Sequence, residues 1–325
     1  MRRREFIGVL GGALVAPHVA RAQQALPVIG FLNPASPDTY SFSVVSFKEG
    51  LAKAGFVEGQ NVRIEYRWGQ GNYALLPTHA ADLVAQNVVA IAATGDIASA
   101  RAVQGATRSI PTVFTIGADP VRHGLVASLG RPGGNITGVN LFSSILSGKR
   151  VELLCEIAPK TRRIALLMNP DNLTAPAEQQ AAQDAARALG REAFIVNARN
   201  PSEINAALAE VLRLEGDAYL TASDPLILDR RGVILAFAQQ HAFPGVGFVR
   251  QFAVGGALLS YGPSISWMYY QAGLYIGEIL KGAKVAELPV MQPTEFETVI
   301  NLKTAKDLGL DVAPLLLARA DEVIE

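Results

Sequence analysis

From Pro27 onward, short apolar segments alternate with longer segments in which apolar residues recur every three or four positions. Continuous apolar runs of four to six residues are typical of buried strands, and the longer periodic segments are typical of helices. The strands predicted in this way are residues 28–32, 88–93, 112–116, 136–139, 164–168, 193–196, 218–221, 246–248, 257–260 and 296–300, and residues 62–66, which alternate between apolar and polar, are predicted to form an edge strand. The predicted helices are residues 41–54, 72–86, 97–106, 121–129, 149–157, 175–189, 201–214, 226–240 and 264–281, with a last helix from Thr304.

The alternation of strand and helix predicts an α/β fold. Strands that are apolar throughout are buried on both faces, which is the arrangement of parallel sheets covered by helices. The alternation runs through residues 27–141 and begins again after Leu141. A chain of 325 residues is also long enough for about two domains. We therefore expect two doubly wound parallel-sheet lobes with a ligand cleft between them.

The first 25 residues have the features of an export signal rather than of the fold. Arg2, Arg3 and Arg4 precede an apolar stretch over residues 6–16, and Ala20-Arg21-Ala22 has the small-x-small pattern of a cleavage site. The pair Arg3-Arg4 also fits a twin-arginine signal. The apolar stretch is too short to span a bilayer. We expect a periplasmic protein that is cleaved near Ala22.

Charge and composition exclude several classes of protein. Basic and acidic residues both number 29, so no positive excess points to nucleic acid. Half of the residues are hydrophobic, which is unlike a disordered chain. Cys155 is the only cysteine and lies in a segment with helical spacing, so we interpret it as a small packed side chain. The histidines match no metal-binding spacing, and no nucleophile motif or phosphate-binding loop occurs. We expect no metal, no cofactor and no catalytic residues.

Short polar side chains follow the predicted strands, and a helix begins directly after most of them. In open α/β sheets, ligands bind beyond the carboxyl ends of the strands. The same residue types are ordinary helix caps, so one such loop does not indicate a binding site, whereas six of them on two lobes do. An Asp among them could hold an ammonium group. The loops are Asn33-Pro34-Ala35-Ser36, Thr94-Gly95-Asp96, Gly117-Ala118-Asp119-Pro120, Asn169-Pro170-Asp171, Ser223-Asp224-Pro225 and Tyr261-Gly262-Pro263-Ser264.

Five motifs spread along the chain are more specific than the strand ends. They are Gly55-Phe56-Val57-Glu58-Gly59-Gln60-Asn61, Ile110-Pro111-Thr112-Val113-Phe114, Arg131-Pro132-Gly133-Gly134-Asn135-Ile136-Thr137-Gly138, Gly255-Gly256-Ala257-Leu258-Leu259-Ser260-Tyr261-Gly262 and Leu317-Ala318-Arg319-Ala320-Asp321-Glu322-Val323. With these motifs the sequence resembles the extracytoplasmic solute-binding components of ABC importers, which have the type I periplasmic-binding-protein fold. The resemblance spans the whole chain and is greatest for the group with tryptophan- and tyrosine-binding members.

The resemblance implies a domain division and a binding site. The first lobe would comprise residues 26–141 and 259–290, and the second lobe residues 142–258 and 291–325. The family's pocket loops fall on the strand ends described above. The expected ligand-binding residues are Ser36, Thr94, Gly95, Asp119, Asn169, Ser223, Asp224 and Tyr261. Position 118 is Ala, which offers no polar side chain to a ligand.

The function implied is capture of a small solute by hinge closure and its delivery to an ABC permease in the inner membrane. The ligand would be an amino acid or a small aromatic or branched carboxylate. We expect a monomer that binds no nucleic acid and catalyses no reaction. Two alternatives remain open at this stage: an exported α/β enzyme of the hydrolase type, which would need a nucleophile paired with a base, and a ligand-sensing partner of a membrane receptor.

Overall fold

The computed structural model describes residues 26–325, so the expected export signal lies outside the described residues. These residues form two α/β lobes with one sheet each, as the hydrophobic pattern predicted. No helix among them is both long and apolar enough to cross a membrane.

The first lobe is built around a five-stranded parallel sheet. Its strand order is β2-β1-β3-β4-β5, with the polar-faced β2 at the edge. The strands are β1 (Val28–Asn33), β2 (Arg63–Trp68), β3 (Ala90–Ala93), β4 (Thr112–Ile116) and β5 (Ile136–Asn140). Its helices are α1 (Ser41–Lys53), α2 (Leu76–Ala85), α3 (Ile97–Ala106) and, after a return from the second lobe, α10 (Ile265–Leu280).

The second lobe contains a seven-stranded sheet in the order β12-β11-β10-β9-β8-β6-β7. Its strands are β6 (Arg163–Met168), β7 (Glu192–Asn197), β8 (Ala218–Thr221), β9 (Gly245–Gly247), β10 (Leu259–Gly262), β11 (Glu297–Asn301) and β12 (Glu322–Ile324). Its helices are α4 (Ser147–Ile157), α5 (Ala175–Ala188), α6 (Ile204–Arg213), α7 (Pro225–Asp229), α8 (Arg231–Gln240), α9 (Arg250–Val254), α11 (Leu302–Asp307) and α12 (Pro314–Leu317).

The sheet of the second lobe is parallel, as expected, except for one antiparallel pair. Strands β10 and β11 are antiparallel. The chain leaves the second lobe at the end of β10, forms α10 in the first lobe and returns beside the point where it left. β11 therefore runs back along β10.

The chain crosses between the lobes three times: after β5, between β10 and α10, and before β11. The expected boundary at residue 259 differs from this arrangement, because β10 pairs with β9 and β11 in the second sheet. Contacts with the first lobe continue as far as Met291, which bridges to Val139.

Two predicted helices differ from the observed structure. Residues 121–129 form turns, because the amide of Ala127 bonds forward to the carbonyl of Pro132 at 2.9 Å instead of back along a helix. The helix predicted over residues 226–240 is broken at Arg230 into α7 and α8.

The return of α10 to the first lobe depends on close packing against α1. A Cβ atom on Gly50 would lie 1.9 Å from the carbonyl oxygen of Tyr270, so only glycine permits this approach of the two helices. α10 in turn brings Tyr269, which is fully buried, to the strand ends β3 and β4. The side chains of this helix can therefore take part in the cleft.

Candidate ligand-binding site

A cavity lies between the two lobes, with an empty volume of about 500 Å³ that includes space open to solvent. Tyr40 and Asp96 line it from the first lobe, and Asp224 and Phe248 line it from the second. Two crossing segments also border it. The remaining lining residues are Gly95, Ile116, Gly117, Leu141, Ser143, Thr174, Ser223, Pro225, Val249, Pro263, Ile265, Met268 and Tyr269.

The wall of the first lobe is held by a group of buried neutral side chains, here called the neutral network: Asn33, Thr94 and Tyr269. Nδ2 of Asn33 donates to Oγ1 of Thr94 at 2.9 Å and to the hydroxyl of Tyr269 at 2.7 Å. Thr94 itself donates to the carbonyl of Leu32 at 3.0 Å. Burial raises the pKa of Tyr269 to about 12, so its hydroxyl remains protonated. The network fixes the ends of β1 and β3 beneath the cavity.

Gly95 connects this network to the cavity. Its φ is 88°, in the region that favours glycine, and a Cβ atom there would lie 3.0 Å from Nδ2 of Asn33. The tight turn places Asp96 at the N-terminus of α3, where Oδ1 of Asp96 accepts from the amide of Ala98 at 2.7 Å. Asp96 therefore caps a helix and lines the cavity at the same time.

The wall of the second lobe is held by the charged network: Arg150, Glu178 and Ser223. The side chains of Arg150 and Glu178 are both fully buried, with 3.6 Å between Nη1 and Oε2. Glu178 accepts from the amide of Ser223 at 2.9 Å, and Arg150 donates to Oγ of Ser223 at 3.3 Å. Nε of Arg150 also donates to the carbonyl of Tyr261 at 2.8 Å. The ion pair thus fixes two loops of this lobe.

Burial works against both charges of this pair. It lowers the pKa of Arg150 to about 10 and raises the pKa of Glu178, while each partner's charge opposes the shift of the other. Such a pair holds its geometry firmly only while both members are present, because a single buried charge is expensive.

Asp224 caps α7 and is saturated with hydrogen bonds. Oδ1 accepts from the amides of Leu226 and Ile227, at 2.7 and 3.2 Å. Oδ2 accepts from Nδ2 of Asn172 and from the hydroxyl of Tyr73, each at 2.9 Å. Burial raises the pKa of Asp224, and these four donors oppose that rise.

Hydrogen bonds also join the lobes directly. Tyr73 belongs to the first lobe, so its bond to Asp224 spans the cleft. At the other end of α7, Asp229 accepts from Oγ of Ser36 at 3.2 Å and from Oγ1 of Thr39. These inter-lobe hydrogen bonds hold both ends of α7 against the first lobe, so the described arrangement is a closed one.

The structure separates the expected ligand-binding residues into three groups. Gly95, Ser223 and Asp224 line the cavity. Ser36 lies at the junction of the lobes, and Thr94 lies behind the wall in the neutral network.

The other three residues lie outside the cavity lining. Asp119 caps the amides of Val121 and Arg122, and Asn169 accepts from the amide of Asp171 at 3.0 Å. The ring of Tyr261 packs against that of Phe296, with 6.1 Å between the centroids.

Sequence reasoning missed several lining residues. Asp96 directly follows the expected residues Thr94 and Gly95 and is the N-cap of α3. Its position at a helix start beyond a strand end could have identified it as a lining residue. Met268 and Tyr269 lie on α10 at the spacing of core residues, and the pattern alone does not distinguish a core from a cavity wall. Thr174 comes five residues after the strand end at Asn169 and has no sequence signal of its own.

The model of the family described as "ABC transporter substrate binding protein" matches residues 28–324. A tyrosine-binding protein of Clostridioides difficile is 28% identical over 267 residues, which is 81% of this chain and 76% of that protein.

Solved structures show the same fold. A Streptococcus domain in complex with L-Trp is 24% identical, with a TM-score of 0.81 over 92% of this chain and 100% of the other. The ligand-free, open structure of a substrate-binding protein with adhesive properties from Clostridium difficile is 23% identical, with a TM-score of 0.62 over 92% of this chain and 99% of the other. Since the family model matches nearly the whole chain, the protein belongs to the ABC transporter substrate-binding protein family.

Proposed function

We propose that this protein is the periplasmic receptor of an ABC importer, which captures a small solute between its lobes and presents the closed form to a permease in the inner membrane. The observation that carries the proposal is the cavity, because both lobes line it and inter-lobe hydrogen bonds close over it. A ligand in such a position gains its full set of contacts only when the lobes close.

The lining supports an amino acid or a small aromatic or branched carboxylate as ligand. Tyr40, Phe248 and Tyr269 provide rings, and Ile265 and Met268 provide apolar surface. Small-ligand sites combine such surfaces with a few polar groups that fix orientation. The relative from Clostridioides difficile is named for tyrosine, and the Streptococcus structure contains L-Trp. Both are consistent with an aromatic amino acid for this chain.

Hinge closure is supported by the connections between the lobes. Three crossing segments join them, so relative motion of the lobes is expected. The lining residues include no histidine, cysteine or lysine, and Ser223 is hydrogen-bonded to Arg150 rather than to a base. This composition supports binding without catalysis.

The binding proposal is tested by a thermal-shift screen of amino acids and aromatic acids, followed by titration calorimetry. Asp224→Ala is expected to weaken binding roughly 10-fold to 150-fold, because it removes a buried charged acceptor that joins the two walls. Asp321→Ala is the matched control, since Asp321 is exposed, lies outside the cavity lining, and its carboxylate accepts from the amide of Thr298. Equal affinities for the two variants would remove Asp224 from the site.

Export is a separate part of the proposal. Mass spectrometry of periplasmic material is expected to give a mature chain that begins at or near Gln23. Replacement of Arg3 and Arg4 by Lys should reduce export if the twin-arginine route is used. Full-length protein retained in the cytoplasm would contradict the periplasmic localisation.

A further inference from the structure

The cavity contains two buried carboxyl groups, from Asp96 and Asp224, and they differ in what already binds them. Asp224 accepts four hydrogen bonds, two of them from the side chains of Asn172 and Tyr73. No side chain among residues 26–325 donates to Asp96, and its carboxyl group accepts only from backbone amides at the start of α3, with the amide of Ala98 donating to Oδ1 at 2.7 Å. Asp96 is nevertheless only 3% exposed. Its Oδ2 atom thus has no side-chain partner at the cavity.

No cation within the described part of the chain compensates Asp96. It forms no ion pair with a basic side chain, and no lysine or arginine lines the cavity. The buried guanidinium of the second wall, that of Arg150, is paired with Glu178. A buried carboxylate that lacks a partner is costly, since it has lost its hydration without an opposite charge in exchange.

We propose that Asp96 is the anchor for a protonated amine of the ligand, so that the receptor selects solutes with an amino group over carboxylates of the same shape without one. This inference rests on the proposed function and narrows its ligand class. The ammonium group would supply both the missing donor for Oδ2 and the missing charge. Asp224 then serves chiefly to hold the two walls together, through its hydrogen bonds with Tyr73 and Asn172.

Proton binding at Asp96 gives this proposal a second readout. Burial raises its pKa to about 7, with further contributions from the negative charges of Asp224 and Glu178, while the amides of Ala98 and Ile97 oppose the rise. Tyr73, Tyr40 and Tyr269 also face this region and stay protonated, since burial raises their pKa values. An ammonium group favours the ionised form, so it lowers the pKa of Asp96 in the complex. Affinity is therefore expected to fall as the pH drops below about 7 and to level off above it.

The test compares wild type with Asp96→Asn, which keeps the helix cap because an asparagine oxygen can accept from Ala98. Asp119→Asn is the matched control, since Asp119 also caps a strand-end turn in the first lobe but lies outside the cavity. Titration calorimetry is carried out with L-tryptophan, L-tyrosine and L-leucine, and with their deaminated analogues, including indolepropionate and hydroxyphenylpropionate.

The inference predicts that wild type prefers at least one amino acid over its deaminated analogue, and that Asp96→Asn weakens binding of that amino acid roughly 10-fold to 100-fold. The variant should also lose the fall in affinity between about pH 7 and pH 5, whereas Asp119→Asn should keep it. Equal affinity of wild type and Asp96→Asn for the preferred ligand, or preference for the deaminated analogue, would overturn the inference and leave the receptor function intact. Failure of the folded wild-type protein to bind any member of the full screen would overturn the proposed function itself.

Discussion

The wall that the first lobe contributes to the cavity is held by neutral hydrogen bonds, whereas the wall of the second lobe is built on a buried ion pair. In the neutral network, Asn33 bonds to Thr94 and Tyr269, and no charge is involved. In the charged network, Arg150 and Glu178 are fully buried and orient Ser223. Removing one neutral hydrogen bond lowers the free energy of unfolding by less than removing one partner of a buried ion pair, because the second change leaves an unpaired charge in the interior. The two walls should therefore differ in their response to single substitutions.

The largest effect is expected for Glu178→Ala. It leaves the guanidinium of Arg150 without its partner and frees the amide of Ser223, so the free energy of unfolding should fall by about 3–5 kcal/mol. Urea denaturation monitored by circular dichroism measures this change. Glu210→Ala is the control, because Glu210 pairs with Arg213 on the exposed surface of α6 and its loss should leave the unfolding midpoint unchanged. A Glu178→Ala protein as stable as wild type would contradict the role given to the ion pair.

A smaller effect is expected in the neutral network. Tyr269→Phe removes the hydroxyl that accepts from Asn33 and leaves one buried N–H group unpaired, at a cost of about 1–3 kcal/mol. Tyr270→Phe is the control at the next position of α10. It is the same substitution, but it removes a hydroxyl that makes no side-chain hydrogen bond within residues 26–325. The same denaturation experiment compares the two. If Tyr269→Phe lowered the free energy of unfolding as much as Glu178→Ala does, the proposed difference between the two walls would be wrong.

The smallest effect concerns the junction between the walls. Thr39→Val removes a hydroxyl whose hydrogen bond to Asp229 joins the two lobes, so closure should be less favourable and the affinity for any ligand should fall by about 3-fold to 10-fold. The stability of the lobes should not change, because the bond belongs to neither sheet. Thr39→Ser retains the hydroxyl and should restore wild-type affinity. Unequal losses for different ligands would indicate that Thr39 contacts the ligand instead of the opposite lobe.

The sequence pattern predicted the fold through its most regular feature, the alternation of apolar strands with periodic helices. Helix α3 and strand β4 have the predicted bounds, because Asp96 and the apolar run over residues 112–116 mark them clearly. The antiparallel pairing of β10 with β11 was not predictable in this way, since it follows from where the chain re-enters the lobe.

The cavity walls were harder to predict than the fold. Strand ends indicated the neighbourhood of Gly95, Ser223 and Asp224, and these three residues line the cavity. The charged network joins Arg150 on α4 with Glu178 on α5, and on each helix a single charged residue resembles an ordinary solvated position. Only packing of the two helices brings the charges together and buries them. Such pairs depend on tertiary contacts that residue spacing along one helix does not encode.

Closure of the two walls on a ligand would shorten the distance between the lobes, which can be measured in solution. Spin labels at exposed Lys53 and Arg187, each replaced by Cys in a Cys155→Ala background, place one probe on each lobe. Pulsed electron resonance then gives the distance distribution with and without the ligand found in the screen. Saturating ligand is expected to shift the distribution to a shorter and narrower distance. An unchanged distribution at saturation would contradict closure and favour a rigid site.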